Sequence, residues 1–237
     1  MLGKNLLAFF ITAVLALAWL RFNDFLAHRG WISGPVSRKI IHMGTGPIFV
    51  LCWLLFPESA YSRYMAALIP LGITVQFALV GLGIIKDEAA VQAMSRKNDR
   101  REILRGPLFY GIVFVILTIW FWKVNPIGII ALMILCGGDG LGDIVGRRFG
   151  NLKLPWSGDK SVAGSLAVFA GGWIFSIIVL AIYLGVGVWG GSLGEYLLPI
   201  TIIVVAATLV ESLPLKDIDN ISVPAVAVLL GFLILPK

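Results

Sequence analysis

Asp139 and Asp143 stand four residues apart at the edge of a long apolar run, in Cys136-Gly-Gly-Asp-Gly-Leu-Gly-Asp-Ile-Val-Gly-Arg-Arg-Phe-Gly150. On a helix, Asp139, Asp143 and Arg147 share one face. Two carboxylates one turn apart suit Mg²⁺, which takes one or two carboxylates and completes its shell with phosphate oxygens. Gly138, Gly142, Gly146 and Gly150 run alongside and would let a phosphate chain, or a neighbouring backbone, approach closely. The plainer reading is a small-xxx-small packing stripe with the aspartates solvated at a helix end. Charge at the border of so apolar a run is costly and usually functional, which favours a metal–phosphate site at Asp139 and Asp143.

Four other polar groups accompany this one. In Lys153-Leu-Pro-Trp-Ser-Gly-Asp-Lys160-Ser161, the lysine and serine open an apolar helix, where free backbone N–H groups and the helix dipole favour phosphate. The segment is not a P-loop, because no GxxxxGK[ST] is present. N-capping by Ser161 with lysines reaching to the interface explains it equally well. Arg38 and His42 lie one turn apart, with Lys39 between them, at the start of another run. They read either as a phosphate-facing pair or as a topology-setting basic cluster. The mixed-charge stretch Ser95–Pro107, which includes Arg105, reads most simply as solvated charge. Glu211 closes one run, and Asp217, Asp219 and Asn220 precede the next; they could hold metal, accept a proton or neutralise nearby cations. Acidic residues, several cations and a helix N-terminus on one membrane face suit a nucleoside triphosphate with Mg²⁺.

The elements that must position these groups are membrane helices. Of 237 residues, 59% are hydrophobic and 14% charged, against about 25% charged in soluble domains, and the mean hydropathy is +0.94. Apolar runs cover approximately 5–20, 40–57, 64–85, 107–122, 124–138, 162–188, 196–210 and 221–236. This pattern predicts an all-α polytopic integral membrane bundle, one domain over 1–237, with about eight transmembrane helices. The number falls to seven if the thin boundary Lys123-Val124-Asn125-Pro126 fails. With eight, the segments 21–39, 86–106, 139–161 and 211–220 share one face and carry 15 of the 19 Lys and Arg residues. Such asymmetry is the positive-inside pattern and places that face in the cytoplasm. Merging the fourth and fifth runs would put basic loops on both sides. The first run, after Lys4, reads as an uncleaved anchor, although Ala16-Leu17-Ala18 resembles a cleavage site. Cys52 and Cys136 read as small apolar residues within runs. A basic pI near 9.5 in so apolar a chain serves topology and phosphate binding, so no nucleic-acid partner is expected. Nothing in the pattern specifies an oligomeric state.

Five stretches together resemble the polyprenol kinase family, which includes phytol, farnesol, dolichol and CTP-dependent diacylglycerol kinases, with the phytol kinases nearest. They are RKIIHMGTG (38–46), RREILRGPLFYG (100–111), CGGDGLGDIVGRRFG (136–150), KLPWSGDKSVAGS (153–165) and VESLPLKDIDNISVP (210–224). The resemblance implies a kinase that phosphorylates an isoprenoid alcohol with CTP. In that scheme Asp139 and Asp143 hold Mg²⁺, and Lys160, helped by Arg38, Lys39 or Arg147, neutralises the transferring phosphoryl group. Glu211, or one of the aspartates, is the candidate base, with His42 a weaker one. Arg105, Gly138, Gly140, Gly142, Lys153, Ser161, Asp219 and Asn220 would line the nucleotide. A diacylglycerol kinase and a cytidylyltransferase that makes a CDP-lipid share part of the pattern. A lipid transporter would scatter polar residues through its spans, and here they gather at one interface. The expected setting is a bacterial or archaeal plasma membrane.

Overall fold

Within lipid, a backbone satisfies its polar groups by hydrogen bonding inside each segment, and this chain is helical along most of its length. The computed structural model describes residues 1–95, 99–215 and 218–236; the side chains of Asp24, Gly34, Pro35, Arg38, Ala89, Gln92 and Ala93 also lie outside the description. The helices are α1 (Leu2–His28), α2 (Gly34–Cys52), α3 (Ser62–Leu82), the short α4 (Glu88–Met94), α5 (Gly106–Trp120), α6 (Ile127–Met133), α7 (Asp139–Phe149), α8 (Val162–Gly185), α9 (Leu193–Glu211) and α10 (Asp219–Ile234). Six stretches among the described residues are long and apolar enough to span a bilayer: Leu2–His28, Ser62–Leu82, Arg100–Trp120, Ile127–Phe149, Val162–Gly185 and Leu193–Glu211. Lys39–Leu55 and Asp219–Ile234 are shorter apolar helices. The protein is an all-α, multi-pass membrane bundle.

The thin boundary between the fourth and fifth runs is a true break. Asn125 Oδ1 accepts from the Ile127 backbone N–H at 3.0 Å and starts α6, while Trp122 takes a left-handed φ of 43°. Lys123 pairs with Glu58 and donates to the Phe56 carbonyl at 3.2 Å, and Trp189 Nε1 reaches the Lys123 carbonyl at 2.9 Å. These contacts tie together the 53–62, 121–126 and 186–193 connections at one end of the bundle. At the other end Trp156 Nε1 bonds Ser212 Oγ at 3.1 Å, and Asn220 Nδ2 donates to the Gly106 carbonyl at 3.3 Å. The chain reverses often enough to bring the polar motifs to a common end.

Two local features depart from the expected layout. The fifth pass does not stop near residue 138. It continues through a π-helical turn at Ile134–Gly138 into α7, so Asp139 and Asp143 sit on a helix rather than in a connection. Next comes a two-stranded hairpin, β1 (Lys153–Leu154) and β2 (Ser157–Ser161), turned by Pro155-Trp156. This hairpin is the small amount of sheet in an otherwise helical chain.

The fifth pass is also the interior helix. Of its most apolar 18 residues 78% are buried within the protein, against 17–39% in the other five long spans. Residues 127–136 are apolar on every side, the mark of a helix packed all round. Glycine permits that packing. A side chain at Gly171 of α8 would place its Cβ 2.2 Å from the Gly137 carbonyl oxygen, so the two backbones meet directly.

The arrangement predicts opposite membrane sides for Val124 and Gly158, both solvent-accessible in the bundle. With the buried Cys52 and Cys136 replaced, a single cysteine at one position should react with an impermeant maleimide in sealed vesicles, and the other only after permeabilisation. Labelling of both from one side would overturn the pass count.

Candidate active site

α7 presents its two aspartates to the first turns of α2. Lys39 Nζ lies 3.0 Å from Asp139 Oδ2 and 3.9 Å from Asp143 Oδ2, so one ammonium bridges both carboxylates. His42, on the same face of α2, brings Nε2 to 3.3 Å from Asp139 Oδ2. Arg147, one turn beyond Asp143, places Nε 3.0 Å from either oxygen of that carboxylate. The i, i+4, i+8 face expected from the sequence is present.

A second charged group surrounds Lys160 near the end of β2. Its ammonium is paired with Glu211, the last residue of α9, and lies 3.7 Å from Asp219 Oδ2 at the start of α10. Burial works against the lysine's charge. Glu211 outweighs it, aided by Asp219 and by Asp139, and the Lys160 pKa is held above the ordinary lysine value. The two groups together hold four carboxylates and three cations, with His42 beside the first.

Other expected residues are in place with plainer partners. Ser161 is the N-cap of α8, its Oγ accepting from Gly164 N–H at 3.2 Å. Lys153 is exposed on the hairpin, 3.4 Å from the Asp159 carbonyl. Asn220 ties α10 to α5 through the Gly106 carbonyl. Arg105 lines a cleft of about 490 Å³ with Arg100 and Arg101. Gly138 and Gly142 face Val168 of α8, and Gly140 faces Met43 of α2, so helix packing uses the space those three glycines leave. The Arg38 side chain, like Asp217, lies outside the described residues.

Sequence reasoning missed Tyr110. Its ring lies over His42 with centroids 4.3 Å apart. Its hydroxyl donates to the His42 carbonyl at 3.4 Å and sits 3.1 Å from Cys136 Sγ. A tyrosine buried in an apolar span needs a partner for its hydroxyl, and that was the available signal. Cys136 is a free thiol buried in the apolar core, as its setting in an apolar run suggested, and it also meets this tyrosine.

No three His, Cys, Asp or Glu side chains converge as a metal cage among the described residues. The fit for Mg²⁺ rests on Asp139 and Asp143 alone. They already share one cation in Lys39, and the remaining ligands would come from phosphate and water, as Mg²⁺ prefers.

Curated relatives align along most of the chain. A probable phytol kinase, chloroplastic, of Triticum aestivum is 41% identical over 225 residues, covering 92% of this chain and 74% of the relative. The farnesol kinase, chloroplastic, of Arabidopsis thaliana is 38% identical over 233 residues, covering 98% and 76%. Phytol kinase 1, chloroplastic, of the same plant is 38% identical over 212 residues, covering 89% and 70%.

The chain belongs to the polyprenol kinase family.

It is a phosphotransferase with an alcohol acceptor, a lipid-alcohol kinase. No protein-family model and no solved structure matches it. The relatives are plant proteins described as chloroplastic, so the expected bacterial or archaeal plasma membrane gains no support from them.

The Lys160–Glu211 pair of this kinase should be costly to break from one side only. Lys160→Met strands a nearly buried carboxylate and is expected to cost ~2–3 kcal/mol, somewhat less than the ~3–5 kcal/mol of a fully buried pair, since Lys160 is 30% exposed. The double variant Lys160→Met/Glu211→Gln should recover most of that, as read by thermal unfolding in detergent. The raised lysine pKa fixes the pH window. The pair's contribution is fully present below the ordinary lysine pKa and is lost as pH climbs through the raised value. Wild type and Lys160→Met should therefore converge in stability in strong alkali, and again in acid, where Glu211 takes up a proton and no carboxylate is left stranded.

Proposed function

We propose that the protein transfers the γ-phosphate of CTP to an isoprenoid alcohol such as phytol, geranylgeraniol or farnesol, at the cytoplasmic face of its membrane. The observation that carries this reading is the single ammonium of Lys39 held between Asp139 and Asp143, with Lys160 and Glu211 beside them. Names of the relatives support the alcohol class. The CTP donor and the cytoplasmic face rest on the sequence resemblance and on the basic residues of the shared loops.

Asp139 and Asp143 would hold Mg²⁺, which when bound supplies charge neutralisation across the phosphates. Lys39 is then free to turn from the carboxylates to a phosphate oxygen. Lys160, kept protonated by its acidic neighbours, faces the transferring group. The alcohol oxygen attacks the γ-phosphorus, and the bond from that phosphorus to the β-phosphate oxygen breaks with its electron pair leaving on CDP. The hydroxyl proton passes to Glu211, with His42 the alternative acceptor. Such a transfer needs positioning and electrostatics more than covalent chemistry, and the site contains charge in plenty. Tyr110 keeps the His42 ring oriented.

The test is incubation of the protein in detergent with Mg²⁺, γ-labelled CTP and each alcohol in turn, diacylglycerol included. Labelled prenyl phosphate is expected, and Asp139→Asn or Asp143→Asn should lower the rate at least ~100-fold without unfolding the protein. No labelled lipid with any acceptor would sink the reading. Label entering from the α-phosphate, with pyrophosphate released, would instead identify a cytidylyltransferase.

A further inference from the structure

A narrow groove of about 290 Å³ runs between α8 and α9 on the outer surface of the bundle. Ser165, Leu166 and Phe169 form one wall, Thr208 and Leu209 the other, and Trp156 of the hairpin roofs it. The residues fall at helical spacing on both helices, so the groove follows the helix axes. Leu166 and Leu209 are 64% and 58% exposed, and both helices are long enough to span a bilayer, so the groove opens sideways into lipid. Its walls present carbon. Even Ser165 Oγ and Thr208 Oγ1 are turned out of contact with water and have no hydrogen-bond partner among the described residues. A dry, carbon-lined groove suits a hydrocarbon chain and rejects a polar ligand.

Its roof joins it to the active site. The hairpin that places Trp156 over the groove also carries Lys160. Trp156 Nε1 is bonded to Ser212 Oγ, the residue next to Glu211. An occupant of the groove therefore ends beneath the strand that holds the site cation and beside the candidate base.

From this we infer that the α8–α9 groove seats the hydroxyl-proximal part of the isoprenoid alcohol, presenting its oxygen to the Lys160–Glu211 pair. The inference rests on the alcohol-kinase reading above. The groove lies at the small end of ligand pockets, which run from about 300 to 1,000 Å³, so the rest of a long prenyl chain stays in the bilayer. A chain that leaves lipid for this groove gains little free energy, since lipid tails are as apolar as the walls. The groove's contribution is orientation, and misplacement of reactants by about 1 Å can cost ~100-fold.

The experiment uses the full chain in liposomes and a farnesol analogue bearing a diazirine in the isoprene unit next to the hydroxyl. Light should crosslink it to residues 162–169 and 205–212, and unlabelled farnesol should compete while phosphatidylglycerol does not. Ser165→Phe, which fills one wall, and Leu209→Trp, at an exposed position on the other, should each remove the crosslink. They should also lower kcat/KM for the alcohol by about 10- to 100-fold with KM for CTP unchanged. Crosslinking confined to other helices overturns the inference. So does competition by phospholipid and not by farnesol, which would mark a groove for bulk lipid. Full alcohol turnover in both variants would do the same. Crosslinking is read without turnover, so a wild-type protein that phosphorylates no alcohol sinks the kinase reading while the labelling still decides the groove.

Discussion

A carboxylate at the end of the most buried helix of a membrane bundle has to be surrounded by cations, and the polar end of this protein follows from that requirement. Asp139 continues directly from a pass whose residues are apolar on every side and packed all round. Charge there is tolerated only where it is paired or faces water. Lys39 and His42 of α2 meet it directly, Arg147 neutralises Asp143, and Lys160 and Glu211 bring in the hairpin and α9. Three separate elements, α2, the hairpin and α9, are thus gathered at one helix end by charge, while apolar packing holds the helices together further down.

The same pairing sets up chemistry. Both lysines of the site are shared between two carboxylates, so the charges are paired yet remain exchangeable. On the proposed reading, a nucleotide entering such a site would replace acidic partners of the lysines rather than meet bare charge. The close approach of α7 and α8 at their glycines keeps the geometry stiff, because the backbones touch and neither can slide without a clash. The chemistry stays near the interface, where an alcohol in the membrane and a nucleotide in water can both reach it.

Much of this was legible in the sequence. Apolar runs fixed the helices, and the charge asymmetry of the connections made the Lys123–Pro126 boundary a real reversal, as Asn125 and Lys123 show by their contacts. The i+4 repeat of Asp139, Asp143 and Arg147 predicted their shared face. Less legible was whatever depends on a partner from elsewhere in the chain. Helical spacing does not say that Lys39, a hundred residues away, bridges the two aspartates. Nor does it say that the hydroxyl of Tyr110 caps His42. The hairpin escaped notice because five residues with mixed polarity carry too little alternation to mark a strand. Ser161 was balanced between capping and phosphate binding, and its bond to Gly164 supplies the capping role.

The π-helical turn at Ile134–Gly138 has a consequence for phase. An α-helix advances about 100° per residue, and a π turn accommodates roughly one extra residue without ending the helix. The extra residue is absorbed within the turn, so the apolar segment below it and the acidic segment above it keep the phase of an α-helix one residue shorter. Shortening the chain by one residue within the turn would therefore restore a plain α-helical turn with both aspartates still facing Lys39, whereas the same deletion within Ile127–Met133 would swing them by about a quarter of a revolution.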